Sequence, residues 1–163
     1  MTKYQTIIGR FEHVSFPSAL EDIPAKIDTG AYRSSVHVES IEELKLKNGQ
    51  IKLKFKLLGH PSFPKSKTIS VRAFQKRRIT SSSGHSQNRY EVKFKISVAG
   101  KTFVTPFTLT DRSKTIFPVL IGRKALNGRF LVDPARSSIS RMELKLKIAG
   151  LEIDGEDLEG INI

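Results

Sequence analysis

The sequence contains neither cysteine nor tryptophan, and it has few long apolar stretches. The lack of cysteine excludes disulfides, thiolate catalysis and cysteine-ligated zinc. No apolar run approaches the roughly 18 residues of a membrane-spanning helix. The segment 1–10 lacks the apolar centre of a secretory signal. We therefore expect a cytoplasmic protein without membrane segments.

Acidic residues are scarce and unevenly placed. The chain carries 28 Lys and Arg against 16 Asp and Glu, a net charge of +12 over 163 residues. Five of the acids lie in residues 151–163, which contain no Lys or Arg, so residues 1–150 have a net charge of +17. A body of this charge attracts nucleic acid, anionic lipid or acidic polypeptide, and an ordinary solvated surface explains it equally well. We expect one domain over residues 1–150 and an acidic tail over 151–163.

Alternation of apolar and polar residues recurs along the chain and predicts strands. The alternating segments lie within residues 41–57, 90–98, 102–109 and 141–148. Asn48-Gly49 predicts a hairpin within the first segment, and Ala99-Gly100-Lys101 predicts a turn between the second and third. Lysine is the usual outward residue. The sequence therefore predicts a mainly β fold.

Three segments interrupt the strand pattern. The stretch Arg123–Asn127 before Gly128 is typical of one short helix. Residues 60–66 contain two prolines and predict a loop. Residues 80–88 are small and polar, and they predict a second, flexible loop.

The motif with the clearest chemical meaning is Asp28-Thr29-Gly30-Ala31, which follows an apolar residue. By itself the triplet is explained by an ordinary turn, because Asp accepts local N–H groups and Gly adopts positive φ. A second element lies about 90 residues downstream, where the apolar residues Pro118–Ile121 lead into Gly122-Arg123.

Together these two elements resemble the retroviral type of aspartic protease, the retropepsins. In that family a strand passes beneath an Asp-Thr/Ser-Gly-Ala turn, and a Gly-Arg pair begins a helix. The resemblance assigns Asp28 as catalytic and Thr29, Gly30 and Ala31 as supports of the turn. The strand beneath it would be formed by Leu120, Ile121, Gly122 and Arg123. Glycine is needed where that strand approaches the turn, because a Cβ would collide. The resemblance implies a closed or partly open acid-protease β-barrel.

One subfamily is a closer match. It is the bacterial and archaeal retropepsin-like group often labelled an ATP-dependent zinc protease. The similar stretches cover about residues 7–137, namely Ile7–Glu12, Ala25–Ala31, Arg78 to Tyr90, Leu109–Ser113, Pro118–Leu126 and Arg129–Pro134. The sequence itself lacks a zinc-protease helix motif and a phosphate-binding loop, and its four histidines lie far apart along the chain. We therefore expect no metal and no cofactor.

Peptide hydrolysis without a metal needs two carboxylates that share one proton. The chain offers one Asp-Thr-Gly, so we expect a two-fold homodimer that places Asp28 beside Asp28 of a second copy. The Thr29 hydroxyl would bond across the axis, and the Gly30 N–H would point at the carboxylate. Asp111 and Asp133 are rival second acids. We expect Asp111 to pair with Arg112, and Asp133 to cap a turn.

Two features depart from the retroviral pattern or are less constrained by it. Retroviral enzymes have an acid after the Ala of the turn that pairs with the Arg of Gly-Arg. Here Tyr32-Arg33 follows, so Arg123 must find another partner. Retropepsins also close a glycine-rich hairpin over the substrate. Arg78–Arg89 is the candidate for this flap, with Arg78, Ser82, Gly84 and Arg89 as substrate contacts. The same segment is equally explained as a plain surface loop.

Several members of the subfamily are associated with ATP-grasp ligases that add glutamate to proteins. The resemblance therefore implies an acidic or poly-glutamate peptide substrate, and possible association with such a ligase. One alternative is an inactive domain that dimerises or binds peptides. Another is a basic nucleic-acid-binding β module, which we disfavour because Phe55 and Phe94 alternate with lysines and should point inward.

Overall fold

The computed structural model describes residues 6–149. The predicted 151–163 tail lies outside the described residues. The strands are β1 (Thr6–Ile8), β2 (Phe11–Phe16), β3 (Leu20–Ile27), β4 (Ser34–Lys45), β5 (Ile51–His60), β6 (Phe63–Val71), β7 (Gln75–Thr80), β8 (Ser86–Val98), β9 (Lys101–Thr110), β10 (Val119–Ile121) and β11 (Phe130–Val132). The helices are α1 (Arg123–Leu126) and α2 (Arg141–Ile148). Neither helix is long and apolar enough to cross a membrane.

Six strands close into a barrel. Their order is β10-β3-β2-β8-β9-β4, and β4 returns to pair with β10. Short β10 lies between β3 and β4, parallel to the first and antiparallel to the second. Strands β5 and β6 extend the sheet beyond β4, whereas β7 pairs with the far end of β8. Strands β1 and β11 form a separate parallel pair. The predicted mainly β, retropepsin-like fold is confirmed.

The barrel interior is filled by the apolar members of the alternating pattern. Val14, Ile23, Val36, Phe107 and Val119 have no exposed surface. Alternation works here because successive strand side chains point to opposite faces, so one face of each strand reaches the core.

The two phenylalanines that alternate with lysine also point inward. Phe55 is buried, and the partly buried ring of Phe94 packs edge-on against it and against Phe16. These rings are therefore part of the core and do not form a stacking surface for bases.

Two turns follow the sequence prediction. Gly49 adopts φ +83° in the loop between β4 and β5, where Leu46 N–H bonds to Gln50 O at 2.8 Å. Ala99 and Gly100 adopt φ +47° and +78° between β8 and β9. Both turns need backbone with positive φ, which the glycines supply at no steric cost.

The strand predicted over residues 141–148 is wrong, because these residues form α2. Ser140 Oγ accepts a hydrogen bond from Glu143 N–H at 3.1 Å, which is the Ser-x-x-Glu arrangement that caps a helix start. Leu144 is buried against Phe11 and Phe117, with Ile148 one turn further along packed against the same cluster. Residues 6–149 therefore contain two short helices rather than one. The Ser-x-x-Glu capping motif is the sequence signal for this helix, but the alternation of apolar and polar residues led to the prediction of a strand.

The loop predicted over residues 60–66 is also wrong. Strand β5 continues to His60 and β6 starts at Phe63, so only Pro61 and Ser62 form the turn. Pro64 lies inside β6, which pairs only with β5 among the strands of residues 6–149. An edge strand tolerates proline because its outer N–H groups have no ladder partner to lose. The second predicted loop is shorter than expected, since β7 and β8 reduce it to residues 81–85.

Candidate active site

Asp28 lies on the turn that joins β3 to β4. Its backbone N–H bonds to Ile121 O at 2.9 Å, which ties the turn to β10. Its carboxylate Oδ1 accepts the N–H of Gly30 at 2.9 Å and that of Ala31 at 3.2 Å. Oδ2 accepts no hydrogen bond from residues 6–149. The turn thus fixes one carboxylate oxygen and leaves the other without a hydrogen bond from the described residues. Thr29 and Gly30 are exposed.

Gly122 is the point of closest approach between β10 and this turn. A Cβ at Gly122 would lie 2.6 Å from Arg33 O and 2.9 Å from Ala31 O. These are backbone atoms that cannot swing aside, so a side chain would displace the turn itself. Gly122 N–H bonds to the buried Ser34 Oγ at 3.1 Å. Glycine is therefore required at position 122 because a Cβ would collide with the turn, as predicted from the sequence.

Arg123 does find another partner in place of the missing acid. Its guanidinium donates to Thr29 O at 3.0 Å and lies 5.9 Å from the centre of the Tyr32 ring. Its backbone N–H bonds to Ala31 O at 2.8 Å, and Lys124 N–H bonds to Tyr32 O at 3.0 Å. The start of α1 therefore supports the Asp28 turn from both backbone and side chain.

The hairpin β7–β8 reaches the same region. A cavity of ≈ 550 Å³ is lined by Ala31 and Arg33 beside the Asp28 turn and by Arg78, Ser82 and Arg89 of the hairpin. Gly84 lies in the hairpin turn with φ +83°, and no atom of residues 6–149 lies within 4 Å of the position that a Cβ would take. The structure thus brings three of the four predicted flap residues to the cavity beside the turn, and it places Gly84 at the exposed tip.

The two rival acids are engaged locally. Asp133 Oδ1 accepts Ala135 N–H at 2.9 Å, which is the predicted turn cap. Asp111 Oδ1 accepts Ser113 N–H at 2.9 Å and lies 3.6 Å from His37 Nδ1. Arg112 donates to Phe117 O and Ser35 Oγ.

Residues 7–143 match the model of the RimB-like family, which is described as retropepsin-like aspartic endopeptidase RimB. The chain belongs to the RimB-like family. The matched range includes the Asp28 turn, the β7–β8 hairpin and the β10–α1 segment, so the family assignment covers every element of the candidate site.

Relatives with curated names are longer proteins. The chain is 34% identical over 142 residues to a probable alpha-L-glutamate ligase of Shewanella pealeana. It is 33% identical over 134 residues to another of that name from Desulfotalea psychrophila. The alignments cover 84% and 79% of this chain but only 30% and 28% of those proteins. A crystal structure of a Legionella pneumophila protein with unknown function superposes with a TM-score of 0.66 at 26% identity, over 82% of this chain and 97% of that one.

A buried carboxylate in this RimB-like chain escaped the sequence analysis. Glu91 on β8 is 7% exposed, and it binds Arg33 at 2.7 Å and Arg77 at 2.9 Å. Arg33 follows the Asp28 turn, whereas Arg77 lies on β7. The acid therefore joins the turn to the base of the hairpin. A glutamate within an alternating Lys-rich strand gives no sign of this role.

Two of the four histidines come together although they are far apart in sequence. The rings of His37 and His60 lie 5.2 Å apart, edge to face. Their ring nitrogens hold the backbone: His37 Nδ1 accepts Arg112 N–H, His60 Nε2 donates to Arg112 O, and His60 Nδ1 accepts Ser62 N–H. Burial lowers the pKa of His37, and it lowers the pKa of His60 to about 4. Burial therefore favours the neutral form of both rings, and their hydrogen bonds hold the backbone of Arg112 and Ser62.

Proposed function

We propose that the protein is an aspartic endopeptidase of the retropepsin type, acting in the cytoplasm, in which Asp28 of two chains activates water. The observation that carries this proposal is the geometry of Asp28. Its Oδ1 is fixed by two backbone N–H groups, whereas Oδ2 accepts no bond from residues 6–149. A carboxylate held in this way is oriented before substrate arrives, which is what general base catalysis needs.

The chemistry requires a second carboxylate. Two such groups about 3 Å apart cannot both ionise, so they share one proton, and the pair supplies a base for water and an acid for the peptide carbonyl. Asp111 and Asp133 are bound in local turns. A second copy of the chain is the simplest source of the missing group.

An exposed apolar patch beside the site supports such a dimer. Ile7 on β1 and Leu131 on β11 are register partners, 48% and 53% exposed. Tyr32 next to the Asp28 turn is 52% exposed. Tyr32 and Leu131 line the same groove as Thr29, a cavity of ≈ 750 Å³. A two-fold axis through this patch would bury these side chains against their own copies and bring the two turns together.

The substrate that we propose is an acidic or glutamylated peptide. Residues 1–150 carry a net charge of +17, which attracts such a chain. The relatives whose names describe glutamate ligases contain a region similar to this chain within a longer protein. On that basis we also propose association with an ATP-grasp ligase, and co-sedimentation of the two purified proteins tests it.

The proposal is tested by mass-spectrometric detection of cleavage in a mixed peptide library that includes poly-glutamate members. Wild type and Asp28→Asn are compared at high protein concentration, from mildly acidic to neutral pH. We expect cuts by wild type that the variant does not make. Asp133→Asn is the matched control, because asparagine can cap the same turn, and it should cut as wild type does.

Equal cutting by wild type and Asp28→Asn would place the chemistry elsewhere. Loss of cutting in Asp133→Asn would revive the second acid within the chain. Binding of peptides without any cutting, under all conditions, would favour the inactive peptide-binding domain instead.

A further inference from the structure

The cavity between the hairpin and the Asp28 turn has a wall of one charge. Its ≈ 550 Å³ volume is lined by Arg33, Arg78, Arg89 and Arg112, and no carboxylate is among the described residues that line it. The volume is within the usual range for a ligand site, about 300–1,000 Å³. Guanidinium groups that line one cavity repel each other unless an anion neutralises them.

The side chains of two of these arginines bind other groups of the protein. Arg33 is neutralised by Glu91 at 2.7 Å. Arg112 donates to Phe117 O at 2.9 Å and to Ser35 Oγ at 3.3 Å, which hold its side chain in the cavity wall. These contacts make that side of the cavity rigid, because the side chains that form it are already hydrogen-bonded.

The side chains of the other two arginines bind no group of the described residues. The side chains of Arg78 and Arg89 have no hydrogen-bond or ion-pair partner among residues 6–149, and the Nε of Arg89 is buried. Burial lowers the pKa of the Arg89 guanidinium, and no acidic group in the described chain offsets that effect. A buried donor without an acceptor is costly, so such a group in a cavity points to a ligand.

The position of the cavity connects it with the proposed chemistry. Ala31, which lines the cavity, donates its N–H to Asp28 Oδ1 at 3.2 Å. The hydroxyl residues Thr80 and Ser82 of the hairpin also line the cavity. A peptide that crosses Asp28 beneath the hairpin would therefore place a neighbouring side chain in this space.

We propose that this cavity is a subsite for a carboxylate side chain of the peptide, with Arg89 as its main specificity residue and Arg78 as a second donor. The inference rests on the proposed endopeptidase function and adds to it the residues that select the substrate. Arginine suits the task because its planar fork of N–H groups matches the two oxygens of a carboxylate.

The test measures binding, so that it does not depend on catalysis. Two labelled peptides of equal length, one with glutamate and one with glutamine at every variable position, are titrated with Asp28→Asn protein by fluorescence anisotropy. We expect the glutamate peptide to bind at least about tenfold more tightly. Adding Arg89→Gln should remove most of this preference, whereas Arg89→Lys should restore part of it.

Arg141→Gln is the matched control, because this exposed residue on α2 carries the same charge and does not line the cavity. It should leave the glutamate-to-glutamine ratio unchanged, which separates a subsite from general attraction. Arg78→Gln provides a second test in case the Arg89 variants misfold, because Arg78 is exposed. It should reduce the glutamate-to-glutamine ratio by a smaller factor.

The subsite is overturned if Asp28→Asn protein does not prefer glutamate, or if the preference survives in both Arg89→Gln and Arg78→Gln. If wild type shows Asp28-dependent cleavage while the ratio ignores these arginines, the subsite fails and the proposed function stands. If the ratio behaves as expected but no Asp28-dependent cleavage occurs, the endopeptidase proposal fails and the anion subsite stands.

Discussion

Arg33 and Glu91 form an ion pair of 2.7 Å that joins the end of the Asp28 turn to the hairpin strand β8. Arg77 of β7 binds the other oxygen of the same carboxylate at 2.9 Å. Because Glu91 is 7% exposed, its two partners are held close to each other only while its charge is present. The pair therefore sets the position of the hairpin relative to the turn.

Replacing Glu91 by glutamine tests this connection. The variant leaves two neighbouring arginines without their counter-charge, and we expect the free energy of unfolding to fall by about 1–3 kcal/mol. Glu42→Gln is the control, because its ion pair with Lys54 is exposed and should contribute less than about 1 kcal/mol. Denaturant titration measures both. Equal effects of the two substitutions would show that the buried pair has no special role.

Gly122→Ala tests the close approach beneath the turn. The added methyl group would lie 2.6 Å from Arg33 O, so the turn must shift, at a cost of about 1–3 kcal/mol. We expect loss of stability together with loss of Asp28-dependent cleavage. Gly49→Ala is the control, because it has φ +83° but open space around it. Gly49→Ala should lose only the stability that glycine provides at a positive φ, and it should keep its cleavage rate. Full activity in Gly122→Ala would contradict the account.

Leu131→Glu tests the dimer patch. A charge at the centre of an apolar self-interface is repelled by its own copy, so we expect dimer affinity to fall at least about tenfold. Val104→Glu is the control, since Val104 is also an exposed strand residue, at 58%, and does not line the groove beside Thr29. Sedimentation equilibrium measures affinity for both. An unchanged dimer in Leu131→Glu would place the interface on another surface.

The His37–His60 pair predicts a loss of stability in acid. Burial lowers the pKa of His60 to about 4 from 6.5, so between these values the unfolded chain binds more protons than the folded one. Stability is therefore retained above pH 6.5 and falls as the pH drops towards 4, by up to about 1.4 kcal/mol per pH unit for this histidine.

Denaturant midpoints measured across this pH range check the expectation. His60→Gln should flatten the acid slope, although it also loses stability at neutral pH because its hydrogen bonds to Arg112 and Ser62 are disturbed. His85→Gln, in the exposed hairpin turn, is the control for replacing a histidine that is not buried. An equally steep slope in His60→Gln would mean that other groups cause the acid sensitivity.

The parts of the site that the sequence could predict are those encoded locally. The Asp28 turn is formed by residues adjacent in sequence, and the hairpin at Gly49 depends on a positive φ. The approach of Gly122 to the turn joins residues about 90 positions apart, and it was predicted from the resemblance to the retropepsins. The position of Glu91 between Arg33 and Arg77 was not predictable, because it arises from the pairing of β7 with β8 and from the path of β4. The contact between His37 and His60 depends in the same way on strands brought together by the barrel.

Helix α2 shows a different kind of limit. The alternation of Met142, Leu144, Leu146 and Ile148 predicts a strand, yet Met142 and Leu146 are 73% exposed and only Leu144 is fully buried. Spacing alone could not separate the two structures. The Ser140–Glu143 cap decided between them.

The central claim, that two copies of Asp28 form one site, is tested most directly by mixing. Wild type and Asp28→Asn are combined in varied proportions at constant total protein, allowed to exchange subunits, and assayed for peptide cleavage. A shared dyad predicts activity proportional to the square of the wild-type fraction, so that equal mixing leaves about a quarter of it. Activity that falls in simple proportion, to about half at equal mixing, would show that each Asp28 acts alone and would contradict the account.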